Sequence, residues 1–256
     1  MLEEKIRAYY TRYYRDTCSL SDWQPRVEAR LHEEDQERDR AAYIQKLSRH
    51  DFRGEKHCII GAGTGGLAMV LAKEYGVDVY GVEPEPQASA IIQEKCRTAG
   101  IEASHFTGEY AEQMSWPDNT FDLVHCFTVL EHVGDVNRAL DEMIRIIKPG
   151  GAISINTPNY AFPYDGHYKV FLPTFLPRAM CSWYLRLRGK NPAFLRTINF
   201  LTERSINRLL SEKSGIRWLR IYQPQVHDAG WKGLFSNYLK FRWGIYANQE
   251  MLIVKM

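Results

Sequence analysis

The sequence predicts an α/β fold, in which helices cover both faces of a doubly wound, mostly parallel sheet of seven strands. An apolar run at residues 58–60, typical of a buried parallel strand, leads through a glycine turn into a helical spacing of apolar residues. Strand-like and helical patterns then alternate along the chain, which favours parallel strands joined by helices. An aromatic, proline-rich stretch at residues 158–200 interrupts this alternation. We therefore expect N-terminal helices and an inserted cap around the sheet.

Composition limits the class of protein. The chain has 256 residues, which suits one large domain or one domain with a lid. Hydrophobic residues make up 45% and charged residues 25%, as in a globular protein with an apolar core. The net charge of +2 is too small to indicate a nucleic-acid partner. We assign residues 1–50 to an N-terminal helical segment or lid and residues 51–256 to the main domain.

The cysteines and the N-terminus indicate a compartment. Five scattered cysteines contain no C-x-x-C pair, so we expect neither a disulfide framework nor a metal site. The N-terminus is charged and lacks the apolar core of a signal peptide, and no apolar run reaches the length of about 18 residues that a membrane span needs. The sequence therefore predicts a cytoplasmic protein.

The N-terminal segment combines aromatic and charged helical patterns. Four tyrosines are spaced for one side of a helix: Tyr9, Tyr10, Tyr13 and Tyr14. They would either form a lid over a ligand or simply be the core face of that helix. Trp23-Gln24-Pro25 predicts a break, and residues 26–49 predict a second helix. Mixed charges at residues 32–40 favour a solvated face.

The glycine turn at residues 61–66 predicts a nucleotide-type cofactor site. Its ligand-facing glycines are expected to be Gly61, Gly63 and Gly65. Glycines at a strand-to-helix turn let the backbone and the helix N-terminus approach a ligand that a Cβ would exclude. The next strand, residues 77–82, ends at Glu83, whose carboxylate suits a ribose diol. The turn also fits G-x-G-x-x-G, so a nicotinamide or flavin cofactor stays open on this pattern alone.

Further motifs follow the glycine turn. With GAGTGG and Glu83, they are Phe121-Asp122-Leu123-Val124, Val129-Leu130-Glu131-His132-Val133, and residues 140–148 followed by Pro149-Gly150-Gly151. Over residues 54–157 this set resembles the class I S-adenosylmethionine-dependent methyltransferases, in the branch that includes ubiquinone-biosynthesis-type enzymes. The resemblance implies a Rossmann-like fold with S-adenosylmethionine as cofactor. Ile59 stands where that family usually carries an acidic residue that helps to hold the cofactor's amino group.

The resemblance also implies where the adenine lies. After the third strand, residues 101–107, the family commonly carries Gly-Asp-Ala, whose acid and backbone meet the adenine. Here the segment is one residue longer, so either Glu109 or Tyr110 would take that place, with Ala111 beside it.

The transferable methyl group is expected at the end of the fourth strand, residues 121–127. Cys126 and Phe127 should lie beside it, because ligands of open α/β sheets bind outside the carboxyl ends of the strands. Glu131 and His132 would begin the next helix, where Glu131 suits the helix dipole. His132 matches the family's Glu-His pair, which in many relatives faces the site.

The cap is assigned to residues 158–200 and 224–249. In this fold such an insertion lies over the methyl donor and usually builds the acceptor pocket. Four polar side chains in it are candidates for binding or deprotonating a hydroxyl: Tyr160, Asp165, His167 and Tyr168. Asp165-Gly166-His167 equally fits a plain turn. Residues 171–188 mix apolar and arginine residues, which suits a membrane interface, although an aromatic pocket or a dimer contact is the more ordinary explanation.

The C-terminal region is expected to complete the sheet. Thr202 is a plausible N-cap of a helix that runs to residue 213. Residues 216–222 and 250–255 read as strands, the last antiparallel to its neighbours. An aromatic segment at residues 231–243 should lie near the mouth of the site.

Taken together, these features predict methyl transfer from S-adenosylmethionine to an oxygen, or less readily a nitrogen, of a small-molecule, sugar or lipid-linked acceptor. The sulfonium is already activated, so catalysis needs mainly in-line positioning and exclusion of water. His132 or His167 would act as base where the acceptor must lose a proton. A cofactor-binding protein without turnover is an alternative. A nicotinamide-dependent oxidoreductase would not explain the downstream motifs, and a nucleic-acid methyltransferase would need a basic track.

Overall fold

The structure, a computed structural model, describes residues 2–221, 242–244 and 246–256. Its N-terminal part contains α1 (Leu2–Thr11), a π-helical turn (Arg12–Thr17), α2 (Trp23–Leu31) and α3 (Glu33–Ser48). A break between the N-terminal helices lies at residues 18–22 and not at the predicted Trp23-Gln24-Pro25, because Pro25 lies in the first turn of α2, where a missing N–H costs no helical hydrogen bond. The second helix, predicted over residues 26–49, is interrupted at His32, whose φ is −114° and ψ is 32°.

Strands and helices then alternate along the chain. The strands are β1 (Lys56–Ile60), β2 (Asp78–Val82), β3 (Phe106–Thr107), β4 (Phe121–Phe127), β5 (Ile147–Pro158), β6 (Tyr164–Asp165), β7 (Val170–Phe171), β8 (Ile216–Ile221) and β9 (Asn248–Lys255). The helices are α4 (Gly66–Tyr75), α5 (Pro86–Ala99), α6 (Val136–Ile146), α7 (Arg178–Leu187) and α8 (Glu203–Ser211).

Within the described ranges, seven strands form one sheet in the order β3-β2-β1-β4-β5-β9-β8. β1 to β5 pair in parallel, whereas β9 runs antiparallel to both β5 and β8, as predicted. Successive residues of a strand point to opposite faces. Ile59 accordingly packs with α3, α4 and α5, while Cys58 and Ile60 pack with α6 and α8. Helices on both faces confirm the doubly wound fold class.

The third strand and the helix after β4 have other bounds than predicted. The third strand is only Phe106–Thr107, because a 3-10 turn at Ala103–His105 takes up the residues before it. The helix after β4 begins at Val136 and not at Glu131, because the carboxylate of Asp135 caps it by accepting from the N–H groups of Asn137 and Arg138. Residues 130–132 are a turn instead.

The N-cap prediction at Thr202 is confirmed. The Thr202 side chain accepts from the Ser205 N–H, and the Ser205 hydroxyl is bonded by the Thr202 N–H. This reciprocal pair satisfies two backbone donors at the start of α8. The helix ends at Ser211, two residues earlier than predicted.

Residues 158–200 form a cap with its own small core. β6 and β7 make a hairpin, followed by α7 and a 3-10 turn at Pro192–Arg196. Its fully buried apolar side chains come from β7 through to the end of the cap: Leu172, Cys181, Leu185, Leu195 and Ile198. Most of the second cap segment, 224–249, and of the aromatic segment at 231–243 lies outside the described residues.

Two further observations concern cysteines and membrane spans. All five cysteines are buried and unpaired. In the described ranges no helix has both the length and the apolar character to cross a membrane.

Candidate active site

A cavity of about 430 Å³ lies at the carboxyl ends of β1, β2 and β4. Ligands of doubly wound sheets bind at this position, where the strand order reverses. From β1 the chain continues to β2 and β3 on one side, and it then returns to β4 on the other side of β1. The glycine turn, Glu83, residues 127–129, His132 and His167 line it, together with side chains of the N-terminal helices. The cavity therefore joins elements that are far apart in sequence.

The glycine turn takes backbone conformations that side chains disfavour. Gly61, Gly63 and Gly65 have φ values of 65°, 56° and 91°. A Cβ on Gly61 would lie 2.5 Å from Val129, and one on Gly65 would lie 2.7 Å from Ile92. At Gly63, in contrast, a Cβ would meet nothing within 4 Å. Gly61 and Gly63 line the cavity, whereas Gly65 packs the start of α4 against α5.

Glu83 is fixed at the end of β2 by two backbone groups. One carboxylate oxygen accepts from the Gly63 N–H at 2.7 Å, and the other accepts from the Glu85 N–H at 3.0 Å. Burial raises the pKa of Glu83, while these two bonds act in the opposite direction. Each oxygen can still accept a second hydrogen bond from the cavity side. A diol of a ribose fits this arrangement.

The N-terminal helices are bonded to the glycine turn itself. Both carboxylate oxygens of Glu33, on α3, lie 2.8 Å from the hydroxyl of Thr64. The Tyr10 hydroxyl lies 2.9 Å from the Thr64 hydroxyl as well. The ammonium of Lys95, on α5, is 2.6 Å from Glu33. The four tyrosines, at positions 9, 10, 13 and 14, all line the cavity, so this helical face is both core and cavity wall.

The prediction of a solvated face at residues 32–40 is wrong for Glu33 and Glu37, which are buried. The sequence held a signal for this, because both share the helical face of the buried Ala41 and Ile44 at three- and four-residue spacing. Glu37 is paired with Arg40 at 2.5 Å, and both line the same cavity as Ile59. The carboxylate of Glu37 and the guanidinium of Arg40, both predicted to face solvent, therefore line the cavity.

The other end of the cavity holds a buried polar group. Glu131 is fully buried in the turn after β4, and one of its oxygens accepts from the Thr157 hydroxyl at 2.9 Å. Its other oxygen lies 4.0 Å from Nε2 of His132. Burial raises the pKa of Glu131. The interpretation of Glu131 as a first-turn helix carboxylate is wrong, because α6 begins only at Val136. The side-chain amide of Asn199 donates to the Val133 carbonyl at 2.7 Å and holds this turn in place.

His132 and His167 meet in this polar group. Their ring centroids are 5.2 Å apart and the planes are nearly perpendicular, at 83°. Burial, and secondly the nearby His167, lowers the pKa of His132 to about 4, so its ring is neutral at pH 7. Nδ1 of His167 lies 3.6 Å from Asp165 and 3.4 Å from the Tyr160 hydroxyl. The buried Asp165 thus stands behind the imidazole that faces the cavity.

Asp165-Gly166-His167 is a turn as well as part of the site. One carboxylate oxygen of Asp165 accepts from the Tyr168 N–H at 2.6 Å, and its carbonyl oxygen accepts from the Lys169 N–H at 3.0 Å, which together close the turn between β6 and β7. The other oxygen faces His167. The turn therefore aims the histidine, and the two interpretations of this tripeptide are compatible.

The structure gathers some of the predicted site residues and separates others. Six of them line the cavity: Gly61, Gly63, Glu83, Phe127, His132 and His167. Cys126 and Ala111 are buried in the core, Tyr168 belongs to the core of the cap, and Tyr160 and Asp165 lie behind His167. Tyr110 is 66% exposed and lies outside the cavity. Contact of these residues with cofactor or acceptor stays a prediction.

Comparison with known proteins agrees with this geometry. The family model described as "Methyltransferase domain" matches residues 32–219. Norajmaline N-methyltransferase from Rauvolfia serpentina is 36% identical over 98 residues, which cover 38% of this chain and 33% of that protein. A ubiquinone biosynthesis O-methyltransferase from Alkalilimnicola ehrlichii is 25% identical over 194 residues, or 70% of this chain and 77% of that one. The match thus spans only a third of the first relative's length.

A solved structure shares the fold. Phosphoethanolamine N-methyltransferase 2 from Haemonchus contortus, in complex with S-adenosyl-L-methionine, has a TM-score of 0.55 and 17% identity, and covers 85% of this chain and 52% of that one. The sheet order and the position of the cavity define the class I S-adenosylmethionine-dependent methyltransferase fold. Because the family match covers most of its length, the chain belongs to this methyltransferase family, whose cofactor is S-adenosylmethionine.

Proposed function

We propose that this protein transfers the methyl group of S-adenosylmethionine to an oxygen atom of a partly apolar acceptor. The bound cofactor supplies an electrophilic methyl group on its sulfonium. The chain's own residues have three tasks, which are to hold the cofactor, to exclude water and to place the acceptor in line with the methyl group.

Glu83 and the glycine turn would hold the nucleoside part. The carboxylate accepts from the ribose hydroxyls, and the open space at Gly63 admits the cofactor close to the backbone. Glu37 and Arg40 line the same cavity as Ile59 and offer an acid and a base to the charged groups of the methionine part. Glu37 would then take the role of the acidic residue that Ile59 replaces.

The observation that carries an oxygen acceptor is the buried group of Asp165, His167 and His132. A hydroxyl must lose its proton on methylation, and an imidazole beside a carboxylate is suited to that task. Burial lowers the pKa of His132 to about 4, which keeps its ring neutral at pH 7 but makes it a weaker base than an ordinary imidazole, so His167 is the preferred proton acceptor of the two. Similarity to a ubiquinone biosynthesis O-methyltransferase over 70% of the chain supports the same acceptor atom.

Matched acceptor pairs test this assignment. Phenols or alcohols and the corresponding amines, with the same apolar body, are incubated with S-adenosylmethionine and followed by mass spectrometry of S-adenosylhomocysteine and the methylated product. We expect methyl ethers from the hydroxyl compounds and little product from the amines. Product from the amines alone would favour the second candidate, N-methylation, which the similarity to norajmaline N-methyltransferase supports.

We also propose that the outer face of the cap contacts an anionic membrane surface and receives a lipid-linked acceptor there. α7 buries Cys181 and Leu185 but exposes apolar side chains on its other face and in the segment before it: Phe171, Phe175, Met180, Trp183 and Leu187. Residues 166–202 contain six lysines and arginines and no acidic residue. Apolar area rimmed by cations is the composition that binds anionic lipid surfaces.

Co-sedimentation with vesicles tests the membrane contact. We expect binding to phosphatidylcholine vesicles that contain phosphatidylserine, and weaker binding without it. Trp183→Glu should abolish most of the binding, and Arg186→Gln should reduce it about fivefold, since a surface cation contributes about 1 kcal/mol. Leu219→Glu is the matched control, because Leu219 is exposed on β8 outside the cap. Equal binding by Trp183→Glu, or a dimer that buries Trp183, would contradict the proposal.

A further inference from the structure

Glu131, His132 and His167 bring one carboxylate oxygen and two imidazole nitrogens within 4.8 Å of one another. We propose that these three side chains bind a divalent transition-metal cation at the acceptor end of the cavity. Their spacing in the sequence does not resemble a metal motif, because the cap brings His167 to the Glu-His pair only in the folded chain. The expectation of no metal site rested on cysteine patterns alone.

The state of Glu131 is the first argument. This carboxylate is fully buried, and its Oε1 finds no hydrogen-bond partner among the described residues, while Oε2 is fixed by Thr157. A buried charged oxygen without a partner is costly, and coordination of a cation is one of the arrangements that relieve this cost. Oε1 lies on the side of the His132 ring, 4.0 Å from its Nε2. The oxygen therefore lies within 4.8 Å of a nitrogen of each histidine and has no hydrogen-bond partner among the described residues.

The surroundings of His167 are the second argument. Its Nδ1 faces the buried Oδ2 of Asp165 at 3.6 Å, and that oxygen also finds no hydrogen-bond partner in the described ranges. Histidines that bind metals commonly direct one ring nitrogen to a carboxylate, which fixes the ring and directs the other nitrogen at the cation. Asp165 is itself fixed by the Tyr168 N–H. The Asp165–His167 pair thus has the form of an outer and an inner metal ligand.

The donor set indicates the class of cation. Two imidazoles and one carboxylate suit zinc, cobalt, manganese or iron, whereas magnesium and calcium prefer oxygen ligands alone. Ligands of a tetrahedral cation at about 2.1 Å lie about 3.4 Å apart, so Glu131 and His132 must approach each other by about 0.6 Å. The other donor pairs lie within 4.8 Å, so they must approach by at most about 1.4 Å. Three protein ligands leave at least one position open to the cavity that both histidines line.

The role of the cation rests on the proposed function. An acceptor hydroxyl at the open position would lose its proton to solvent more readily, as a metal-bound water does. An electron pair of that oxygen then forms the new bond to the methyl carbon. The electrons of the broken sulfur–methyl bond stay on sulfur. In this arrangement the two imidazoles are metal ligands, and the cation replaces a ring nitrogen as the group that promotes loss of the proton.

Calorimetric titration of the untagged, EDTA-treated chain with CoCl₂, ZnCl₂ and MgCl₂ tests the site, with cobalt absorption as a second readout. We expect one equivalent of cobalt or zinc to bind, magnesium to bind much more weakly, and cobalt to show the spectrum of a mixed nitrogen and oxygen site. His132→Asn and His167→Asn should each lower the affinity more than 100-fold. Asp165→Asn should lower it by about 10- to 100-fold, as for other outer ligands.

His50→Asn is the matched control, because His50 also lies beside a carboxylate, 3.1 Å from Glu55, but outside the cavity. It should bind cobalt as the unchanged chain does. Absence of cobalt and zinc binding, or binding that survives both His132→Asn and His167→Asn in folded protein, would overturn the site. Because no acceptor is present, this outcome is separate from the proposed function. If the chain binds cobalt but methylates only amines, the metal site stands and the proposed oxygen acceptor is wrong.

Discussion

The hydroxyl of Thr64 lies 2.8 Å from the buried carboxylate of Glu33, so α3 is bonded directly to the glycine turn. Thr64 belongs to the glycine turn GAGTGG, whereas Glu33 precedes it by 31 residues in a charged helix. This contact closes one side of the cavity. It also means that the N-terminal helices pack on the glycine turn and line the same cavity.

A double-mutant cycle measures this contact. Thr64→Val and Glu33→Gln, singly and together, are compared by urea unfolding, and we expect a coupling of about 1.5–3 kcal/mol, the range for a hydrogen bond to a charged group. The surface pair Lys5 and Glu94, 2.6 Å apart, is the control and should couple by less than about 1 kcal/mol. Equal coupling in the two cycles would show that the buried bond does not anchor α3.

Substitution of two glycines with similar backbone conformations distinguishes an effect on stability from an effect on cofactor binding. Gly63→Ala and Gly100→Ala both place a side chain at positive φ, 56° and 71°, and neither Cβ meets an atom within 4 Å. Each should therefore lower stability by about 1–2 kcal/mol. Gly63 lines the cavity and Gly100 does not, so only Gly63→Ala should weaken binding of S-adenosylhomocysteine in calorimetry. A similar loss of affinity in both variants would remove Gly63 from the site.

Stability should fall in mild acid because of His125. Burial, with the neighbouring His57 as the second cause, holds the pKa of His125 well below its ordinary range. Below pH 6.5 the unfolded chain therefore binds a proton that the folded chain does not, so this stability is present above pH 6.5 and is lost as the pH falls. The slope is about 1.4 kcal/mol per pH unit for one proton.

Urea unfolding between pH 7.5 and about pH 5 measures that slope. His125→Asn should make the slope shallower by about 1.4 kcal/mol per pH unit, the contribution of one proton. His32→Asn, which changes an exposed histidine, should leave the slope unchanged. An unchanged slope in His125→Asn would mean that this ring is protonated in the folded chain. His57 contributes in the same direction, because burial also lowers its pKa.

The sheet was predictable from local patterns. β4 matches its predicted bounds, residues 121–127, and β9 has the predicted antiparallel direction, because apolar runs and turn residues are local signals. β3 was overestimated, since residues 101–105 carry no local feature that distinguishes a 3-10 turn from a strand. The buried position of Glu131 could not be predicted from the neighbouring sequence either, because Thr157 and Asn199, from distant segments, hold the turn that buries it.

The cofactor side of the site was more predictable than the acceptor side. The glycine turn and Glu83 belong to one strand–turn–helix–strand unit, so their pattern can be recognised within about thirty residues of sequence. Glu33 and Glu37 were missed because a mixed-charge helix is usually solvated, and this expectation outweighed the helical face that they share with Ala41 and Ile44. The meeting of His132 with His167 depends on how the cap folds back, which no spacing records.

Calorimetric titration of the full chain with S-adenosylhomocysteine, S-adenosylmethionine and NAD tests the central claim most directly. The account predicts that both adenosyl ligands bind and NAD does not. Glu83→Ala should weaken both by about 1.5–3 kcal/mol, or roughly 10- to 150-fold, while the surface variant Glu94→Ala binds as the unchanged chain does. Binding of NAD without the adenosyl ligands, or full affinity in Glu83→Ala, would contradict the account.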